Sequence, residues 1–296
     1  MPDTEQLTRF QTGEGFLAAL DQSGGDTPTA LALSGVDDAQ HAGEGEMFDL
    51  IRAVRTRVIT SPVFTNERIL GAILVEGTLD QEVDGRGIAE YLWAVKGILP
   101  FRKIDAGLNR VRDGVQTMRE IPGLDALLAR AAGRGTFGTR ERSVIHAANR
   151  AGIELVVTQQ VRVAEHVLAA GLVPILELEV DVHAPDKAEA EELLKAVLLR
   201  ELDVLAGSEK VAIAVTIPSV DGFYADLIAH PRVARVVALS GGSDRDDANA
   251  RLARNPGLIA SSSGALLEGL TVHQPGDEFD RTLGDSIESI HRASTV

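Results

Sequence analysis

The sequence predicts a single eight-stranded α/β barrel, the (β/α)8 or TIM-barrel architecture, and three observations carry that expectation. Short β-rich runs alternate with segments of helical period from Phe16 to the end of the chain, which implies parallel strands joined by right-handed crossovers. Eight such runs are found, near residues 16–21, 70–76, 98–105, 136–142, 173–180, 210–217, 233–240 and 257–263. A length of 296 residues suits one barrel. No linker, low-complexity run or short-period repeat marks a boundary, so residues 1–296 read as one domain. A doubly wound open sheet uses the same alternation and is the alternative.

Between the strands, residues 47–60, 155–170, 186–205 and 277–293 place apolar side chains at helical spacing. Within the strands a period of two sends one set of side chains into the barrel and the other toward the helices. In the fifth run Leu176, Leu178 and Val180 form the apolar face, which turns Glu177 and Glu179 inward together. The third run aligns Phe101, Lys103 and Asp105, the fourth aligns Gly138, Arg140 and Arg142, and the first ends in Asp21. One such charge on its own is usually a solvated rim residue or a register-setting ion pair. Acids and bases ending four strands together converge on the carboxyl-end face, where barrel sites lie.

Composition narrows the chemistry. With no cysteine, thiolate catalysis, disulfides and Cys-based metal sites are excluded. A net charge of −15 argues against nucleic acid or an anionic membrane as the main partner. No stretch approaches the roughly 18 apolar residues of a membrane span. The polar amino terminus lacks the halves of a signal peptide, so the cytoplasm is the expected location. Only five lysines stand against 24 arginines; Lys103 alone is placed to enter the barrel, whereas Lys96, Lys187, Lys195 and Lys210 fall on helices or at the wrong end. Among the seven histidines only His183 sits just past a strand end, and its bland reading is an exposed loop residue.

The segments GEGFLAALDQSGGDTP, FGTRERS, GLVPILELEV, VVALSGG and LIASSSGAL, with EMFDLIRAVRTRVITSPVF and ILGAILVEGTLDQEVDG between them, resemble the bacterial class I fructose-bisphosphate aldolases from about residue 5 to 292. The pairing of AALDQSGG with LSGG is the specific part of that resemblance. It implies reversible aldol cleavage of a phosphorylated sugar without metal or other cofactor, through an imine on a sixth-strand lysine that serves as electron sink. Possible homo-oligomers accompany it. By the same resemblance Asp21, Glu177 and Glu179 match the proton-transferring carboxylates, with Glu177 the foremost, and Arg140 stands where a fourth-strand lysine is expected. Lys103, Arg142 and Ser23 match substrate-binding positions, and Ser240 and Gly241 match a phosphate-holding loop.

The departures fall on central positions. Ala214, in VAIAVTIP, occupies the place of the imine-forming lysine, so the expectation is a divergent lyase with altered mechanism or substrate; a catalytically inactive relative that binds a sugar phosphate or a protein is the alternative. Gly264 replaces an arginine of the phosphate site, Thr29 a lysine, Asp26 a serine, and Leu178 a proline between the glutamates. Each close arginine–phosphate contact is worth about 1.5–3 kcal/mol, so weakened phosphate pockets are expected. So many altered positions point to natural divergence rather than to one engineered substitution.

Overall fold

The computed structural model describes residues 3–21, 44–271 and 273–296, without side-chain detail for 44–50. Eight parallel strands close into a barrel: Phe16–Ala19, Ile69–Leu74, Leu99–Lys103, Gly138–Ile145, Val173–Val180, Val211–Thr216, Val233–Leu239 and Leu258–Ser262. Closure has two parts. The first strand lies between the second and the eighth, and the third pairs with the fourth through Phe101 and Gly138. An open sheet would leave that last edge unpaired, so the doubly wound alternative is excluded.

Alternation builds two cores. One alternating set in each strand, including Phe16, Ala18, Leu176, Leu178, Ile213 and Val215, faces outward against the helices. The other set, including Leu17, Phe101, Ile175, Ala214, Val237 and Ile259, fills the barrel interior. A helix before the first strand, Thr4–Thr12, plugs the amino-terminal end. Its Phe10 ring packs 5.4 Å from Phe101 and 5.6 Å from Phe137, and Arg235 donates to the carbonyls of Phe10 and Gly13. The interior Phe101 ring also explains Gly138, where an added Cβ would meet the Val173 carbonyl at 2.3 Å and that ring at 2.7 Å.

The helix Arg150–Ala169 lies behind the fourth and fifth strands. Gly276–Ser294 packs over the eighth, where Ser294 Oγ accepts from the Ala260 amide at 3.0 Å. Among the described residues no helix is long and apolar enough to cross a membrane.

Candidate active site

The inward faces of the fourth and fifth strands concentrate charge, with Arg140 and Arg142 on one and Glu177 and Glu179 on the other. The strands pair with Arg142 opposite Glu177. Arg140 therefore sits one rung lower and reaches upward across the pair. Its Nε donates to Glu177 Oε2 at 2.5 Å, its Nη2 to Glu177 Oε1, and its Nη1 to Asp21 Oδ2. One guanidinium thus joins a carboxylate from the first strand end to one from the fifth. Above it Arg142 grips Glu179 through Nε at 2.8 Å and Nη2 at 2.7 Å, with Glu177 3.7 Å away. Lys103 Nζ lies 3.9 Å from Asp105 Oδ1.

Burial makes these pairs electrostatically tight. Glu177 is 1% exposed and Asp21 5%. Burial pushes the Glu177 carboxyl above its ordinary range, and Arg140 offsets only part of that rise. The same burial opposes the Arg140 charge, yet Asp21 and Glu177 outweigh it and hold the guanidinium protonated well above its usual range. A proton can therefore reside on Glu177 but is not released by Arg140.

These groups border a cavity of about 600 Å³ at the carboxyl ends of the strands. Asp21, Lys103, Arg140, Arg142, Glu177, Glu179, Ser240 and Gly241 all line it. Gly241 and Gly242 adopt left-handed backbone, with φ of 65° and 96°, and a Cβ on Gly241 would strike Val182 Cγ1 at 2.3 Å. Ser23 lies outside the described residues, as do Asp26 and Thr29.

Ala214 is the exception. It belongs to the interior apolar cluster, 1% exposed, in register with Glu177 on one side and Val237 on the other, and is not among the residues that line the cavity. Thr216, on the same strand face, has its hydroxyl bound to the backbone of Val180, donating to the carbonyl at 2.7 Å and accepting from the amide at 3.0 Å. Thr216, like Ala214, is not among the residues that line the cavity. His183 is an exposed loop residue whose amide donates to Asp181 Oδ1.

Strand parity alone missed three features. Gln160, from the helix behind, donates through Nε2 to the carbonyls of Glu141 and Glu177 and to Ser143 Oγ, at 3.0, 3.2 and 3.0 Å, which locks the two strands together under the arginines. His146 bridges Asp181 and Gln116 above the same strands, at 3.0 and 2.9 Å. Glu141 points away from the cavity, 1% exposed; Thr139 Oγ1 donates to its Oε1 at 2.5 Å and its Oε2 has no hydrogen-bond partner.

Burial, reinforced by Asp105 and Glu177, pushes the Glu141 carboxyl up to about 8 against the hydrogen bond from Thr139. The unfolded chain gives up that proton near 4.5, the ordinary value, whereas the folded chain keeps it until about 8. Stability contributed by the bound proton is therefore complete below 4.5 and is lost as pH rises between those values. Glu141→Gln should remove this loss and gain a few kcal/mol relative to the parent at pH 8, compared with pH 4. Urea unfolding of both proteins across that window checks it; a difference that stays constant with pH would refute the assignment.

A closed parallel barrel with a polar cavity at the carboxyl ends of its strands belongs to the class of barrels that hold small molecules there. Comparison with known proteins makes the class specific. Residues 7–214 match the family model described as fructose-bisphosphate aldolase class-I. Over 293 residues the chain is 50% identical to the fructose-bisphosphate aldolase class 1 of Synechocystis sp., covering 99% of this chain and 98% of that relative. Among solved structures it resembles the Plasmodium falciparum fructose-bisphosphate aldolase crystallised with TRAP and a small-molecule inhibitor, with a TM-score of 0.78 and 18% identity over 98% of this chain and 93% of that one. The Slackia heliotrinireducens fructose-bisphosphate aldolase gives 0.56 and 13% over 97% and 89%. At those identities the two structures show the shared fold. The chain belongs to the class I fructose-bisphosphate aldolase family.

Proposed function

We propose that the protein is an aldolase-type carbon–carbon lyase for a phosphorylated sugar, acting in the cytoplasm on glycolysis-like substrates, in which carbonyl activation does not pass through an imine on the sixth strand. The observation that carries this reading is the buried Asp21–Arg140–Glu177 cluster at the cavity. Carboxylates held beside a cavity serve an aldol reaction as proton carriers, and Glu177, whose carboxyl is raised by burial, suits that task. Glu179 and Asp21 support it. Lys103, Arg142, Ser23, Ser240 and Gly241 are assigned to substrate binding.

The second reading is a catalytically inactive family member that binds a sugar phosphate or a protein. It is favoured by Ala214 and by the fact that Asp21, Glu177 and Glu179 each carry an arginine partner. An assay of phosphorylated ketose cleavage, with the triose products captured by coupling enzymes, separates the two. Cleavage by the parent that falls at least about a hundredfold in Glu177→Gln supports the lyase. Cleavage that is absent for every phosphorylated ketose that binds leaves the inactive relative, and equal rates in parent and variant remove Glu177 from the chemistry.

A further inference from the structure

We propose that Arg245 is the cationic arm of an anion subsite in the cavity wall built from Ser240–Ser243 and Ser261–Ala265, and that it selects substrates carrying a phosphate at this end. The proposal rests on the lyase reading only in taking this cavity as the substrate site.

Arg245 opens the helix Arg245–Leu252 and lines the cavity. Its guanidinium is held at one edge: Nη1 donates to Ser286 Oγ at 2.8 Å and reaches the Ala265 carbonyl at 3.5 Å. Nε is buried without a hydrogen-bond partner, 3.6 Å from Glu268 Oε2. No described residue takes a hydrogen from Nη2. The group is thus fixed in place by a serine on the last helix while part of its donor capacity is unspent.

The arginines at the base of the cavity are more fully neutralised: Arg140 joins two buried carboxylates and Arg142 is doubly bonded to Glu179. Arg245 has Glu268, half-exposed and beyond hydrogen-bond distance. The second nearby acid, Asp244, is turned toward its own helix, accepting from the Asp247 amide at 2.9 Å. Gly242, with left-handed backbone and nothing within 4 Å of where a Cβ would lie, leaves room for an anion against the main chain. A positive charge therefore stands beside the Gly264 turn, where the strand sequence alone foresaw a weakened phosphate pocket.

Inorganic phosphate is the probe. Its protection against thermal unfolding, titrated at constant ionic strength with chloride as control, yields a dissociation constant. Arg245→Gln should weaken binding at least about tenfold, the loss of one charge-assisted contact, and Arg245→Lys should fall between. Glu268→Gln, which removes the competing carboxylate and leaves Arg245 in place, should tighten it several-fold. Unchanged affinity in both Arg245→Gln and Glu268→Gln would overturn the proposal, as would a parent protein that phosphate protects no better than chloride. Should Arg245→Gln fail to fold, the Arg245→Lys and Glu268→Gln arms decide alone. Phosphate affinity governed by Arg245 in a protein that cleaves no phosphorylated ketose would keep the subsite and remove the lyase; cleavage with phosphate affinity indifferent to Arg245 would do the reverse.

Discussion

Replacing Arg140 with methionine is expected to destabilise the protein by about 3–5 kcal/mol at pH 8, the cost of removing one partner from a buried ion cluster. Two carboxylates depend on that guanidinium, Asp21 at 5% exposure and Glu177 at 1%. Methionine replaces the apolar stem of the side chain without its guanidinium, so most of the loss reports the uncompensated charge. Its pH dependence identifies the cause. The Glu177 carboxyl is already raised by burial with the arginine present, and without it the folded state holds the Glu177 proton more tightly still. Stability of the variant should then be near that of the parent in mild acid, below the range where the unfolded carboxylates titrate, and be lost as pH rises through the raised folded value. Arg140→Lys keeps a charge but cannot reproduce three donors in one plane, and should lose less. Urea unfolding at pH 4 and pH 8 distinguishes this from simple cavity formation. A loss that is equal at both would mean the carboxylates are not what the arginine compensates.

The barrel was legible because its evidence is local. Each strand is an apolar-rich run of four to eight residues, and the positions found differ from those expected by a few residues at most. The differences have non-local causes. The fourth strand runs to Ile145, three residues beyond expectation, because Val115 folds back to pair with Ile145 antiparallel. The helix expected from residue 155 starts at Arg150, since the Asn149 side chain accepts from the Gly152 amide at 3.0 Å and caps it. Asn149 is the usual residue type for that task, so this signal was present in the sequence and unused.

At the site, parity predicted which side chains face inward but not which partner each takes. That Arg140 joins Glu177 rather than facing Ile175, its register partner, depends on the stagger between strands and on the length of the arginine side chain. Glu141 went unnoticed although it falls between two inward arginines on the opposite strand face. Its backbone carbonyl accepts from Gln160, nineteen residues on in a helix, which no local pattern connects to it. Arg245 opens a short helix just past the seventh strand, and only its place on the cavity wall marks it.

The largest functional effect is expected at position 214. With dihydroxyacetone phosphate and borohydride the parent should yield no adduct on the sixth strand, since a methyl group forms no imine. Ala214→Lys should yield one, found by intact mass and located by peptide mapping. The geometry favours it: Ala214 is in register with Glu177, so an extended amine starting there enters the space beside Arg140 and the carboxylates. Burial and the neighbouring guanidinium both disfavour an ammonium group at that point, which shifts the side chain toward the neutral, nucleophilic form. Glu177 stands ready to exchange the protons that imine formation moves. Cleavage of fructose 1,6-bisphosphate should rise at least about tenfold over the parent, because the imine supplies the electron sink that the native side chain lacks. An adduct in the parent at Lys103 would instead reveal an imine relocated to the third strand. Normal turnover of the parent that survives both a chelator and Lys103→Met would refute this account of the site, since it would demand an electron sink that neither a lysine nor a metal ion supplies.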